Sequence, residues 1–331
     1  MQEVKQRNKT VDLLRGTAAL CMILGHSFIV YPVDISAVPW CAAVRDVIYM
    51  FHMELFFLLS GWVYKCACYG TYVRKKIRRM LIPYLFFGSV SLVLHIVAGS
   101  SVNGTTTLSE GLVDLVFYGG DYWFIYTLLI MSLIYPLAEK LLRKPVRKLI
   151  VMAALLCLDG LAEFRNVFFF NTALHYWPYF LLGTLIGAGG ISEKISGAPR
   201  KLLLFAVLGF ACAAALHPLM PECVMPTVAF VRAIAFSAAL YAVFIMLDGK
   251  TGALWKRTER LLLDASRYSL QLYLFNGYIM VAARIFLCSI LRITAPAVIV
   301  PSIFLANWII TCFVCKKILP GSAVLRCLCG M

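Results

Sequence analysis

Apolar runs of helical length alternate with short polar and basic stretches along nearly the whole chain. A bilayer core about 30 Å thick takes roughly 20 residues of helix to cross. Ten segments of that kind can be drawn, at 13–31, 44–64, 80–98, 121–139, 148–163, 174–190, 201–217, 226–247, 267–290 and 294–315. Hydrocarbon offers no partner to a free backbone N–H or C=O, so each crossing must close its own hydrogen bonds as a helix. The pattern predicts an all-α, polytopic integral membrane protein with about ten transmembrane helices. The fifth segment is the weakest, being short and carrying Asp159 and Glu163 near its end.

Composition leads to the same class. Of 331 residues, 62% are hydrophobic and 14% charged, against roughly 45–50% and 25% in soluble domains. A soluble fold is excluded, because so little polar surface cannot cover one aqueous core. The net charge of +15 would suggest a nucleic-acid partner in a soluble protein, but here the basic residues sit in patches between apolar segments, and no nucleic acid is expected. Alternate connections, together with the two ends, hold 26 of the 31 Lys and Arg. The other set holds only Arg45, Arg165 and Arg292, while Arg232 and Arg284 fall inside predicted spans. Basic residues stay on the cytoplasmic side, so both termini are expected there. The first segment is long enough to span and lacks a small-residue cleavage pattern, so it reads as a retained anchor. Residues 1–331 form one membrane domain, with no fixed-period repeat. No oligomeric state follows from the pattern. The 12 cysteines make no set with tetrahedral spacing, so no metal is expected; Cys41 and Cys223, both in outer connections, are candidates to pair.

Ionisable residues inside apolar spans are costly and line protein-walled paths by default. In the first span, Arg15 and His26 are eleven residues apart, which returns them to within about 20° of one helical face and sets His26 about 16 Å deeper. A cation at the membrane edge and an imidazole in mid-membrane then line one vertical path, suited to a long ligand. The other reading of the same spacing is a snorkelling arginine and a histidine bonded to a neighbouring helix. Before the third span stand Arg74, Arg78 and Arg79; Arg74 and Arg78 are one helical turn apart and form a candidate phosphate grip, or else a basic patch facing lipid phosphates. His52 and Glu54 in the second span are about 200° apart and do not face each other. His52 is a candidate lining residue, and Glu54 is expected to neutralise Arg232 or Arg284. Asp46 is a candidate contact for a hydroxyl. Tyr122 and Trp123 are placed at the outer start of the fourth span, to stack on a sugar ring or to anchor in the interface. Asn103-Gly104-Thr105 fits a glycosylation pattern and reads as a chance match.

Thr10-Val-Asp12-Leu-Leu-Arg15-Gly16 through Gly25-His26, then Phe51-His52-Met53-Glu54 through Ser60-Gly61, then Arg74-Lys-Lys-Ile-Arg78 and Ile82-Pro83-Tyr84, closely resemble the membrane-bound acyltransferase-3 family, especially its fucose 4-O-acetylase-like branch. The resemblance is dense over 9–87 and thinner at Tyr122-Trp123-Phe124 and Ser269 to Leu274. It implies acetyl transfer from cytoplasmic acetyl-CoA to a hydroxyl of an extracytoplasmic carbohydrate or envelope glycan, in a multi-pass protein of the bacterial plasma membrane. It implies roles for His26 as the essential histidine, Arg15 as its partner and Arg74 and Arg78 as the arginine pair; Ser60 and Gly61 match a motif whose role the resemblance leaves open. Glu54 and Asn276 depart from the proline and histidine that relatives often carry there, which leaves the acceptor side open. The alternative from another class is a solute transporter or flippase, which also places charges in the membrane but commonly shows repeated, interrupted helices.

Overall fold

The computed structural model describes residues 8–99, 106–161, 170–188 and 190–331. Asn103, Gly104, Thr105, Glu163 and Arg165 lie outside the described residues. All regular structure within them is helical. The elements are α1 (Lys9–His26), α2 (Pro39–Tyr49), α3 (His52–Trp62), α4 (Tyr69–Lys76), α5 (Ile82–Ala98), α6 (Leu108–Val113), α7 (Trp123–Ala138), α8 (Pro145–Leu161), α9 (Phe170–Ala188), α10 (Ile191–Ser196), α11 (Pro199–Leu216), α12 (Met225–Leu247), α13 (Ala253–Arg267), α14 (Ser269–Arg284), α15 (Pro296–Phe313) and α16 (Ala323–Leu328). Each of the ten apolar segments falls on helix, and among the described residues six helical stretches are long and apolar enough to cross a membrane.

Three segments differ from their sequence outlines. The second is two helices, α2 and α3, parted at Met50–Phe51, where Phe51 leaves helical geometry at φ −140°. No proline or glycine marks that break. The third begins at Tyr69, because α4 runs through a π-turn at Ile77–Leu81 into α5. The fourth begins at Leu108, because α6 and a further π-turn lead through Gly119, at φ 75°, into α7. Glu110 and Asp114 mask this extension in the sequence. They line a small cavity with His95 and Asp121, which gives them polar neighbours.

α1 is the central strut, touching α2, α3, α12, α13, α14 and α15. Asn8 caps it by accepting from the N–H of Val11 at 3.2 Å, and its small residues let neighbours approach. A methyl group placed on Gly16 would lie 1.9 Å from the Leu262 carbonyl oxygen of α13. α13 itself is amphipathic, with a buried Leu262–Ala265–Ser266 edge against α1. The α3–α9 pair is equally close: the same placement at Gly61 meets the Phe180 carbonyl at 2.0 Å, and at Gly183 the Leu58 carbonyl at 2.0 Å. Gly183 and Gly187, four apart, form the small-xxx-small edge that lets membrane helices pack backbone to backbone. Ser60 turns back to the Phe56 carbonyl at 2.7 Å. The Ser60-Gly61 motif is thus a packing joint between α3 and α9.

Cys41 and Cys223 do not pair. Both are free thiols, Cys41 buried on α2 and Cys223 exposed, and the Cys223 backbone sits against Gly160 of α8. Glu54 does not neutralise either arginine. Among the described residues it makes no ion pair with Arg232 or Arg284, its Oε2 has no partner, and neither has Arg232 Nε. Glu54 is instead the third residue of α3, an acidic side chain in the first turn of that helix. The positive end of a helix favours a carboxylate in its first turn.

Candidate active site

His26 is the last residue of α1, and the helix stops there because Ser27 caps the last turn through its backbone N–H to Gly25 and Leu24. The ring is exposed at that point and borders a cavity of about 990 Å3. The cavity is walled by the chain after α1 (Phe28 to Tyr31), by Arg45, Asp46 and Tyr49 of α2, and by Met280 and Arg284 of α14. Its size falls at the upper end of ligand pockets. It lies at the end of the helices opposite the basic connections.

Tyr49 stands between two histidines. Its ring meets His26 edge-on at 6.4 Å between centroids and His52 edge-on at 5.2 Å. His52 is buried, 3% exposed, and its Nδ1 lies 2.8 Å from the Ile48 carbonyl. A carbonyl can only accept, so Nδ1 carries the proton and Nε2 keeps its lone pair whenever the ring is neutral. His52 is not itself on the cavity wall; Tyr49 separates it from the cavity. Asp46 is on the wall, 3.4 Å from Arg45. Arg284, only 3% exposed, holds its guanidinium over the Tyr31 ring at 5.5 Å.

The other candidate residues lie apart. Arg15 binds Asp12 at 3.1 Å, and Asp12 also accepts from Ser266 of α13 at 3.4 Å. Arg74, Arg78 and Arg79 are all exposed at the basic end. A π-turn closes its bonds over five residues rather than four, so from Ile77 onward it rotates Arg78 off the simple one-turn register with Arg74. Among the described residues the cavity lining includes none of these four arginines. Trp123 is in neither place. It begins α7 partway along a 31-residue stretch, not at its outer end, and its ring is stacked on Tyr176 at 5.6 Å. Tyr176 stacks in turn on Phe57 at 4.4 Å.

Two cavity groups were visible in the sequence only as oddities. Arg45 was one of three basic residues in the sparse set of connections, and Arg284 was an unexplained charge in a span. Tyr49 and Tyr31 carried no signal, because aromatic residues are common throughout this chain. A second polar cluster was also missed. His175 Nδ1 is 2.8 Å from Asp159 Oδ2, which gives the fifth segment's aspartate a partner on α9.

The sequence pattern of a family described as an acyltransferase domain, acyltransferase-3, matches residues 8–315. The chain is also similar to "Nodulation protein NolL" of Sinorhizobium fredii, with 29% identity over 225 residues, which is 62% of this chain and 56% of that protein. The chain thus spans little more than half the length of this curated relative. No solved structure matches.

Proposed function

The chain belongs to the acyltransferase-3 family, and on that premise we propose that it moves an acetyl group from cytoplasmic acetyl-CoA to a hydroxyl of an extracytoplasmic carbohydrate, as in the fucose 4-O-acetylase-like branch. The observation that carries the reading is the imidazole of His26, presented at the end of α1 to a cavity large enough for a sugar ring. With about ten crossings and both termini in the cytoplasm, as the charge pattern of the sequence predicts, that cavity would open on the outer side, where such an acceptor would arrive.

An alcohol is a weak nucleophile at neutral pH and needs a base as it attacks. In this reading an unprotonated nitrogen of His26 takes the hydroxyl proton while the oxygen bonds to the thioester carbonyl carbon. The C–S bond then breaks, and the departing thiolate takes the proton from the imidazolium, so His26 ends as it began. Arg74, Arg78 and Arg79 at the basic end hold the phosphates of acetyl-CoA, and Arg15, fixed by Asp12, lies along the path between them and His26. Tyr49 limits the movement of the His26 ring, and Asp46 on the same wall accepts from the acceptor's hydroxyls.

The test uses proteoliposomes given radiolabelled acetyl-CoA on the side of the basic connections. His26→Ala should abolish label transfer to an acceptor on the other side while the protein still inserts and elutes as the wild type does. Undiminished transfer by that variant removes the assignment, and transport of intact CoA without acetylation would make the protein a carrier.

A further inference from the structure

Basic residues are scarce away from the basic end of this protein: outside the main set there are Arg45, Arg165, Arg232, Arg284 and Arg292. Two of these five, Arg45 from α2 and Arg284 from α14, converge on the cavity that His26 borders. Placing arginine there opposes the charge bias that orients a membrane protein, and burying the Arg284 side chain to 3% exposure adds a desolvation cost. The Tyr31 ring offsets part of that cost by packing on the guanidinium. Among the described residues that line the cavity, Asp46, beside Arg45, is the only carboxylate, so the described part of the wall carries two guanidinium groups against one carboxylate.

We propose that the acceptor taken by this cavity carries an anionic group, a phosphate or carboxylate, close to the hydroxyl that is acylated, and that Arg284 and Arg45 bind that group. This deepens the acyltransferase reading and rests on it. A guanidinium fork matches the paired oxygens of a phosphate or carboxylate. Two forks from different helices would fix the anion, and with it the direction in which the adjoining ring offers its hydroxyl to His26. The cavity is wide enough to hold the ring and the anion together. Tyr31 and Tyr49, both on its wall, are also exposed at the protein surface, at 57% and 46%. The cavity is therefore bordered by amphipathic rings, which suits an acceptor borne on a lipid and also admits a free headgroup.

Binding tests this independently of transfer. The full chain in detergent would be titrated with phosphatidylinositol, with monogalactosyl diacylglycerol of the same acyl chains, and with water-soluble inositol 1-phosphate, and occupancy read by native mass spectrometry. Charge-assisted pairing predicts that phosphatidylinositol binds about tenfold or more tightly than the neutral galactolipid. Arg284→Gln and Arg45→Gln should each erase most of that preference, and Arg284→Lys should restore part of it. Arg45 is partly exposed, so its variant keeps the test open if the buried Arg284 site tolerates no change. Inositol 1-phosphate binding as tightly as the lipid supports recognition of the headgroup alone; binding of the lipid alone supports a lipid-borne acceptor. Equal binding of the neutral and anionic lipids, or a preference that survives both glutamine variants, overturns the proposal. His26→Ala should keep the anion preference. If that variant still transfers acetyl, the acyltransferase reading of His26 fails while the binding result stands.

Discussion

Gly61→Ala should destabilise this protein although it adds only one methyl group. On the present backbone that methyl would lie 2.0 Å from the Phe180 carbonyl oxygen and 2.9 Å from its carbon. Real Cβ atoms do not come closer than 3.0 Å, so α3 and α9 must part locally by about 1 Å. No flexible side chain can absorb this, because the opposing atoms are backbone. Overpacking of that kind costs about 1–3 kcal/mol, and the loosened edge includes Gly183 against Leu58 and Gly187 against Trp62. The control is Gly209→Ala in α11, where a methyl meets nothing within 4 Å; there the gain in helix propensity should stabilise by up to about 1 kcal/mol. Two chemically identical substitutions are therefore predicted to shift stability in opposite directions. Thermal unfolding in detergent, followed by thiol-reactive dye or by loss of the monodisperse peak, reads both. If Gly61→Ala melts with or above Gly209→Ala, the backbone-to-backbone contact is not what holds α3 to α9.

Two further predictions concern the basic end. Reversing charge at Arg74 and Arg78 together, both exposed and so dispensable for packing, should raise the KM for acetyl-CoA about tenfold or more by losing phosphate contacts; an unchanged KM would move the donor site elsewhere. Lys9, ahead of the first apolar segment, hydrogen-bonds Glu259 and Asp248, and these partners hold its pKa above the ordinary 10.5. Their stabilisation is complete below about pH 10 and fades as pH climbs through the raised value. Lys9→Met should then cost about 0.2–1 kcal/mol at neutral pH, a difference in thermal midpoint that shrinks as pH rises past the ordinary 10.5 and in high salt. A difference that persists under both conditions would mean that Lys9 acts through its alkyl stem.

The presence of each apolar run was readable without coordinates, because lipid demands helix and punishes polar exceptions. The described parts of all ten segments fall mainly on helix for that reason, and the placement of Arg15 and His26 on one continuous helix followed from its period. The exceptions that escaped were polar residues with partners distant in sequence. Asp114 hid the start of the fourth segment because hydropathy is local whereas its cavity neighbours, His95 and Asp121, come from elsewhere; Glu110 added to this although its own partner, Thr107, is only three residues away. Glu54 was matched to an arginine because the start of α3, which puts it in a first helical turn, leaves no mark when neither proline nor glycine makes the break.

Which charges meet was beyond reach of the linear pattern. Hydropathy and spacing place residues by depth and face along one helix, but they say nothing about which helices are neighbours. Arg45 and Arg284 are 239 positions apart and reach one cavity only because α1 packs against both α2 and α14. The same limit hid the role of Ser60-Gly61. A glycine's lack of a side chain becomes informative only when another backbone is found against it, and that neighbour is set by how the helices assemble.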